Sequence, residues 1–435
     1  MKKTSIQLLM LVALLGRAYA GWAAVNITQA LDSVYSNNPA IRQAEQAVNA
    51  SKARLGGKKS GYLPTIGIEG SYAHLDPDPL LNFPGFGLIQ FFPVDNYDVH
   101  ASLRQILWDF GRTSSAVGAA RYSYGAAQRN LELVKINLTF QTIQVFYSVL
   151  LLKESVTVQQ QQIDSLKEAL DLAAKKVSSG SATHFDELTT QVKLAEAETQ
   201  KIDIDNMLRK QQISLARLMG VAGSEPFDIT GEFSDKTIEL DEKELIAAAE
   251  QNRAELKLAR DNENAAKSQL SASRADNYPS VTADLSYGYK NGYFPVLEDI
   301  TQNTVAAAQL SFPLFNGLKT YNLVKESDAN YSSARERTRE AQEMIVAEVR
   351  QAVSEARASM DKIKASELHV QLAEEALQQA KVRYESGVIT NLDLLNAETS
   401  LAQANLLHLQ ALYNYTLSRI ALNKAVGAEL LEKAK

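Results

Sequence analysis

Two aspartates lie at positions where a carboxylate can cap a helix or attract cations. Each follows a threonine by three residues and a glycine by six. A threonine with an acid three residues later is typical of a helix N-terminus, where both side chains bond backbone N–H groups. In a symmetric oligomer, copies of such an acid meeting at a narrow opening would form an acidic ring that prefers cations. The residues concerned are Gly180, Thr183 and Asp186 in the first segment, and Gly387, Thr390 and Asp393 in the second.

The two segments belong to an internal repeat. They lie 207 residues apart, and in each copy forty residues separate this glycine from another, Gly220 or Gly427. Upstream, residues 37–72 match residues 252–287 at an offset of 215 rather than 207. The difference of eight residues is an insertion between 73 and 97. Because this insertion is rich in proline and glycine, we predict a longer, mobile loop there.

A repeat of this length predicts a fold that is built twice. We expect the first structural repeat to occupy residues 21–220 and the second to occupy residues 244–427. A linker, residues 221–243, would join them, and residues 428–435 would form a C-terminal tail.

The N-terminus has the features of a secretory signal peptide. Two lysines precede an apolar run of about ten residues, which is too short to span a membrane, and Ala18-Tyr19-Ala20 offers an A-x-A cleavage site. We expect removal of residues 1–20, with cleavage after residue 24 as the alternative. Loss of Lys2, Lys3 and Arg17, with no acid, changes the net charge from −6 to −9. An acidic mature chain argues against nucleic acid as a partner.

The composition excludes several classes of chemistry. The chain has no cysteine, which rules out disulfides, thiol catalysis and cysteine metal sites. Its five histidines are scattered, with no pair at metal-ligand spacing. It also lacks a glycine-rich phosphate loop and a nucleophile elbow. We therefore predict no enzyme activity, no catalytic residue, no cofactor and no metal site.

Long proline-free stretches predict unusually long helices. No proline lies between Pro93 and Pro226 or after Pro313, and both stretches are rich in good helix formers. The longest helices, about 65 residues, would reach about 100 Å. Lengths of this kind indicate coiled-coil packing. The predicted long helices are 113–178 and 320–385, each followed by a shorter one at 184–219 and 391–426, and a third helix in each copy covers 27–60 and 241–275.

Between the helices, apolar and polar residues alternate with a period of two, which predicts one β-hairpin over 64–108 and another over 279–314. Strands of about ten residues with one apolar face are typical of outer-membrane barrels. Seventeen of the 32 aromatic residues lie in 62–110 or 278–321, as expected for interfacial girdles. Four strands cannot close a barrel, which needs about eight. The hairpins therefore predict an oligomer that shares one barrel.

The chain resembles the TolC family of outer-membrane efflux proteins over essentially its whole mature length. The resemblance implies an α+β membrane protein that forms a homotrimer, with a shared twelve-stranded barrel in the outer membrane and a periplasmic α-helical barrel. It implies a partially structured equatorial region formed by the linker, residues 221–243, and the C-terminus. It also implies docking to a periplasmic adaptor and to an inner-membrane transporter of RND, ABC or MFS type. The segments that carry it are Asn38-Pro39, Gly61–Pro64, Gln105–Arg112, Phe312–Gly317, Arg383–Glu398 and Ala425–Gly427.

The resemblance also implies roles for residues at the two glycine segments. The family's aperture acids match Asp186 and Asp393, but a second acid expected three residues after Asp393 is replaced by Asn396. The helix tips would be the adaptor-docking sites, although turn chemistry alone also favours Gly and Ser there. The tip residues are Ser179, Gly180, Ser386, Gly387 and Val388.

The expected function is export of small molecules, such as drugs, toxic compounds or metal ions, through the outer membrane as part of a tripartite system. One alternative is the outer-membrane conduit of a type I protein secretion system. Another is a soluble periplasmic coiled-coil adaptor. An adaptor would need one helical hairpin, whereas this sequence predicts two, each with its own pair of strands.

Overall fold

The structure is a computed structural model that describes residues 24–221, 227–234 and 240–431. The predicted signal peptide 1–20 lies outside these ranges, as do parts of the linker and of the C-terminal tail. The chain divides into two compact units. The first comprises Met1–Gln43, Glu132–Ala254 and Gln342–Lys435, and the second comprises Ala44–Leu131 and Glu255–Ala341.

The helices agree closely with the predicted pattern. The longest two, α3 and α7, have 67 residues each, and their ends lie within one residue of the predicted ones. The helices are α1 (Ile27–Asn37), α2 (Pro39–Lys59), α3 (Arg112–Ser178), α4 (His184–Leu218), α5 (Glu242–Asn252), α6 (Ala254–Ala275), α7 (Lys319–Glu385) and α8 (Asn391–Val426).

The prediction of one continuous helix over 27–60 and another over 241–275 was wrong. The first is interrupted at Asn38 and the second at Arg253, both with extended ψ angles of 124° and 123°. Asn38 precedes Pro39, and a residue before proline is disfavoured in the helical conformation. Arg253 has no such local cause, so its break depends on tertiary contacts.

In the first unit, the residue at each break donates a hydrogen bond to a carbonyl at the end of another helix. The Asn38 side-chain amide donates to the Leu218 carbonyl at 2.9 Å, and the Arg253 guanidinium donates to the Ala425 carbonyl at 3.0 Å. Leu218 and Ala425 lie at the ends of α4 and α8, where helical carbonyls have no partner within the helix. Each break therefore lets a buried polar side chain satisfy the end of another helix.

The glycine that closes each copy allows this close approach. Gly220 and Gly427 have φ of +72° and +76°, a conformation that glycine adopts without steric cost. A Cβ at Gly220 would lie 2.6 Å from the Asn37 Cβ, and one at Gly427 would lie 3.1 Å from the Asn252 Cβ. The repeat thus preserves a backbone contact as well as a turn.

The second unit contains an antiparallel sheet of four strands in the order β1-β4-β5-β6. The two predicted hairpins are therefore joined through β4 and β5. The insertion, predicted to be a loop, instead contains a small hairpin of its own, β2-β3, with left-handed glycines at 85 and 87. The strands are β1 (Thr65–His74), β2 (Leu80–Phe83), β3 (Gly87–Gln90), β4 (Asp95–Trp108), β5 (Ser280–Lys290) and β6 (Thr301–Ser311).

The register of the main sheet separates an apolar face from a polar one. One row across β1, β4, β5 and β6 is Ile66, Leu103, Leu285 and Ala306. The row beside it brings Arg104 next to Asp284, where the two charged groups lie 2.6 Å apart. Apolar side chains such as Ile66 and Ile68 are largely exposed in the single chain.

A further duplicated feature lies where the sheet leads into the long helices. Residues 110–111 before α3 and residues 317–318 before α7 all have positive φ. In each pair one residue is glycine and the other is large and apolar, Phe110 (φ 52°) or Leu318 (φ 66°). A left-handed conformation costs a residue other than glycine about 1–2 kcal/mol. Both junctions therefore contain a strained apolar residue.

Across the described ranges, no helix contains an apolar stretch long enough to cross a membrane. The same residues include no cluster of three or more histidine, aspartate or glutamate side chains suited to a metal ion.

Candidate functional site

The site that the sequence singled out is the pair of turns joining α3 to α4 and α7 to α8, which we call the helix tips. Both turns are built on a left-handed glycine, Gly180 (φ 77°) and Gly387 (φ 76°). The N–H of the next residue returns to a carbonyl of the preceding helix, Ser181 to Lys176 at 2.8 Å and Val388 to Arg383 at 2.9 Å. This geometry satisfies carbonyls that the helix itself leaves unbonded.

Each tip continues into a capping box. The Thr183 N–H and hydroxyl donate to Asp186 Oδ2 at 2.9 and 2.8 Å, and those of Thr390 donate to Asp393 Oδ2 at 2.9 and 2.6 Å. Each threonine hydroxyl oxygen in turn faces the backbone N–H of its aspartate. Both aspartates therefore organise the start of a helix, α4 or α8.

Asp393 also carries an exposed charge at the tip. It is exposed, and the hydroxyl and N–H of Thr390 hold the pKa of its carboxyl below the usual value. An aspartate with a lowered pKa is ionised at neutral pH. The Asp393 side chain thus presents a negative charge at the surface of the tip at neutral pH.

Two side chains tie the tips together within the first unit. The Asn391 amide donates to the Asp186 carbonyl at 3.0 Å and to the Thr190 hydroxyl at 2.9 Å. The Lys176 ammonium donates to the carbonyls of Tyr384 and Glu385 at 2.8 and 3.2 Å. A cation at these carbonyls also interacts favourably with the C-terminal end of α7.

Tyr384 is a component that the sequence analysis missed. Its ring is buried against Leu377 and Leu394, with the Lys176 ammonium 4.8 Å from the ring centre. Its hydroxyl has no hydrogen-bond partner in the part of the chain that the structure describes. Burial raises the pKa of this phenol, and the nearby charge of Asp186 raises it further. An aromatic residue three positions before the tip glycine was the available signal.

Glu398, one and a half turns into α8 from Asp393, was also missed as a site residue. It is 3% exposed; one carboxylate oxygen accepts from the Ser165 hydroxyl at 2.8 Å and lies 3.7 Å from the Lys381 ammonium. The other oxygen has no hydrogen-bond partner among the described residues. Burial raises the pKa of this carboxyl, while Ser165 and Lys381 lower it. An acid at helical spacing among apolar residues signalled an unusual core position.

The other predicted site residues lie on the surface of the tips. Asn396 is exposed one turn beyond Asp393, and the hairpin residues Ser179, Ser386 and Val388 are exposed as well. The Ser179 hydroxyl donates to the Lys176 carbonyl and the Ser386 hydroxyl to the Val382 carbonyl, both at 2.9 Å. The helix tips therefore combine an internal network that joins them with an exposed, partly acidic outer surface.

Comparison with known proteins identifies the family and the fold of this chain. A family model described as outer membrane efflux protein matches residues 30–221 and 245–428. The solved structure of the outer membrane protein VceC from Vibrio cholerae superposes with a TM-score of 0.80 at 20% identity, covering 93% of this chain and 97% of that one. Its likeness shows the same fold.

Two curated relatives extend the comparison. The cobalt-zinc-cadmium resistance protein CzcC of Cupriavidus metallidurans is 26% identical over 73% of this chain and 74% of its own length. The alkaline protease secretion protein AprF of Pseudomonas aeruginosa is 25% identical over 74% of this chain and 67% of its own. These matches support the expected outer-membrane export channel and not the alternative of a soluble adaptor. The family model, which matches residues 30–221 and 245–428, establishes that this chain belongs to the outer membrane efflux protein family.

Proposed function

We propose that three copies of this chain assemble into an outer-membrane channel that exports small molecules, and that the helix tips form its periplasmic gate. The edge strands of the main sheet are the observation that supports a trimer. These outer strands, β1 and β6, have no further strand beside them in the described chain. An edge strand exposes unpaired backbone donors and acceptors. Pairing β6 of one copy with β1 of the next satisfies both edges and closes twelve strands.

The trimer can be tested by cross-linking, because the chain has no cysteine of its own. Cysteines introduced at Ile68 in β1 and Thr304 in β6, both exposed, are joined with a short bismaleimide. We expect a covalent trimer on denaturing gels when both cysteines are present. The single variant Ile68→Cys should give no trimer. A doubly substituted protein that remains monomeric under these conditions would contradict the shared sheet.

Asp393 would give the gate its preference for cations. Copies of an ionised, exposed aspartate around a three-fold axis form an acidic ring that attracts divalent cations. In planar bilayers, Asp393→Ala should lessen block by divalent cations, and Asn396→Asp should strengthen it by adding a second acid one turn away. Unchanged block in Asp393→Ala would remove this residue from the gate.

We further propose that the chain works with a periplasmic adaptor and an inner-membrane transporter of RND, ABC or MFS type. The exposed tip residues Ser179, Gly180, Ser386, Gly387 and Val388 are the surface that the adaptor would contact. Replacing Val388 with aspartate should reduce adaptor co-purification. A matched substitution at exposed Val382, away from the turn, should leave adaptor binding intact.

Small molecules are the favoured cargo, and CzcC, whose name describes resistance to metal ions, supports this class. Protein secretion is the second candidate, because AprF is named for secretion of a protease. Deletion of the gene distinguishes them. Higher sensitivity to hydrophobic drugs, dyes or metal salts supports small-molecule export. Unchanged sensitivity together with loss of one secreted protein would support secretion instead.

A further inference from the structure

The polar face of the main sheet contains a histidine between two carboxylates. His100, in β4, lies directly opposite Glu69 of β1 in the antiparallel register. Its Nδ1 lies 2.8 Å from Asp98 Oδ1 in the same strand, and its Nε2 lies 3.9 Å from Glu69 Oε2. Each nitrogen of the imidazole ring therefore faces an acidic oxygen, and the two acids approach the ring from different sides.

Metal-binding histidines have this arrangement. A histidine that binds a metal through one ring nitrogen donates its other N–H to a carboxylate, which fixes the tautomer and the direction of the ring. With Asp98 as that acceptor, the Nε2 lone pair of His100 is directed towards Glu69. Two ligand atoms of a tetrahedral zinc ion lie about 3.4 Å apart. The Glu69 side chain is 69% exposed, so a small rotation brings its carboxylate to that distance.

Ser102 and Gly288 preserve the approach of His100 to Glu69. The Ser102 hydroxyl donates to Glu69 Oε1 at 3.2 Å, which leaves Oε2 for the imidazole. Gly288 lies opposite His100 in β5, and a Cβ there would lie 2.5 Å from the His100 Cβ. Any side chain at position 288 would therefore displace the histidine.

The charges on the polar face favour a bound cation. Across its four strands this face carries three acids and two bases. The two bases lie 2.6 and 4.0 Å from two of the acids. The third acid, Glu69, is left unmatched when His100 is neutral, and a dication between them would offset its charge. The two pairs are Arg104 with Asp284 and Lys290 with Asp98.

We infer that His100 Nε2 and Glu69 Oε2 bind a transition-metal dication such as Zn²⁺ on the polar face of the sheet, with Asp98 holding the imidazole. Imidazole suits such ions, whereas Mg²⁺ and Ca²⁺ prefer oxygen ligands. Spacing along the chain could not indicate this pair, because only the pairing of β1 with β4 brings the two residues together. Two protein ligands are fewer than a structural zinc site has, so water would complete the coordination and the ion would exchange readily.

The binding site needs only one chain, but its role as a contact for exported metal ions rests on the proposed function. In a barrel whose apolar face meets lipid, the polar face lines the interior. Ions that pass through the proposed channel would therefore meet His100 and Glu69.

Zinc titration of the purified full-length protein tests the site. Excess Mg²⁺ in the buffer occupies sites made of carboxylates alone, including that of Asp393. His100→Ala and Glu69→Gln should each weaken zinc affinity at least about tenfold, because loss of a second-shell partner alone costs that much. Glu69→Gln keeps the size of an exposed side chain, so folding is preserved. Unchanged affinity in either variant would overturn the inference.

His74→Ala is the matched control. His74 Nδ1 also lies 2.8 Å from an aspartate, Asp95, but no second carboxylate lies within 4.0 Å of its ring among the residues that the structure describes. Zinc affinity should therefore be unchanged in this variant. A loss as large as that of His100→Ala would mean that any histidine beside an aspartate binds the ion, and the assignment would fail.

Asp98 acts as a positioning residue, and its role can be separated from that of the ligands. Asp98→Asn should weaken zinc affinity about tenfold, and Asp98→Glu should restore most of it. Lys290→Gln, which removes the other partner of Asp98, should not weaken binding. In protein loaded with Cu²⁺, electron paramagnetic resonance should show coupling to an imidazole nitrogen that Asp98→Asn retains and His100→Ala abolishes. Coupling that persists in His100→Ala would contradict the assigned ligand.

Conductance in planar bilayers separates this site from the proposed function. In an Asp393→Ala background, zinc should reduce conductance, and adding His100→Ala should relieve that block. A channel that conducts but does not bind zinc through His100 would retain its function and lose the site. Zinc binding through His100 in a protein that does not conduct would contradict the channel alone. Zinc binding that leaves conductance unchanged would remove the site from the path of exported ions.

Discussion

The two helix tips share one local design and differ in their surroundings. Each has a left-handed glycine, a threonine cap and an aspartate at the third helical position. In the second tip, Tyr384, Asn391 and Glu398 are all buried. The residues 207 positions earlier are Val177, His184 and Gln191, of which the latter two are exposed. The duplicated tips are therefore alike in sequence-local chemistry and unlike in packing.

The two copies therefore contribute different groups to the contact between the tips. The second tip contributes the buried Asn391 amide, which donates to the Asp186 carbonyl and the Thr190 hydroxyl of the first tip. The first tip contributes the Lys176 ammonium, which donates to the carbonyls of Tyr384 and Glu385. The first tip also exposes Phe185 and Val192, at 72% and 56%. Substitutions at matched positions should therefore have unequal effects where packing matters and equal effects where only the cap matters.

The largest expected effect is at Tyr384. Tyr384→Ala empties a buried aromatic site and should lower the free energy of opening of the second tip by about 3 kcal/mol. Hydrogen exchange of tip peptides, followed by mass spectrometry, measures this local stability. Val177→Ala, at the equivalent position of the first tip, should cost about 1 kcal/mol or less, because Val177 is only half-buried.

Tyr384→Phe separates packing from hydrogen bonding at the same position. The phenol hydroxyl has no partner within the described residues, so its removal should change exchange very little. A loss as large as that of Tyr384→Ala would mean that the hydroxyl, rather than the ring, stabilises the tip.

Asn391 should come next in size. Asn391→Ala removes two hydrogen bonds that a buried side chain makes to the first tip, which together should cost about 1–3 kcal/mol. His184→Ala is the matched control. His184 is exposed and makes one surface contact with Glu187, at 3.2 Å, and such contacts contribute little. Similar exchange in the two variants would contradict the asymmetry of the tips.

The caps should behave identically. Thr183→Ala and Thr390→Ala each remove the hydroxyl of a capping box with the same geometry, and each should cost about 1 kcal/mol. Exchange at the first turn of α4 and of α8 measures the two effects separately. A clear inequality would show that the tips differ in their local design as well as in their packing.

The smallest effect should be a pH dependence confined to the second tip. The folded pKa of Glu398 is raised by burial, so its contribution to stability is complete below the unfolded value of about 4.3 and is lost as pH rises through the folded pKa. Asp393 has a lowered pKa, so its contribution is present above the unfolded value of about 3.9 and is lost as pH falls through the folded pKa.

The two carboxyls can be separated by substitution. Acidification from neutral pH should first stabilise the second tip through Glu398 and then destabilise it through Asp393, after correction for intrinsic exchange rates. Glu398→Gln should abolish the first change and Asp393→Asn the second. Gln191→Glu, at the exposed equivalent of Glu398, should not reproduce the first change, and if it did, burial would not be its cause.

Much of the fold was predictable because its signals are local. The ends of α3 and α7 follow from proline placement, tip glycines and capping residues, which act within a few positions of one another. Strand alternation likewise predicted both hairpins. The break at Asn38 also had a local cause in Pro39, although the helical pattern on either side concealed it. The small hairpin β2-β3 was hidden by the proline and glycine content of the insertion.

The sequence by itself determined the duplication, the long helices, the caps and the candidate acids Asp186 and Asp393, because each depends on spacing along the chain. Only the tertiary structure decided that Arg253 breaks a helix to satisfy the end of α8, and that Glu398 is buried beside Ser165 and Lys381. The partners of Glu398 on α3 and α7 are 233 and 17 residues away in sequence. Burial of a charged group depends on which helices pack together, and that packing is not encoded in the spacing of any one of them.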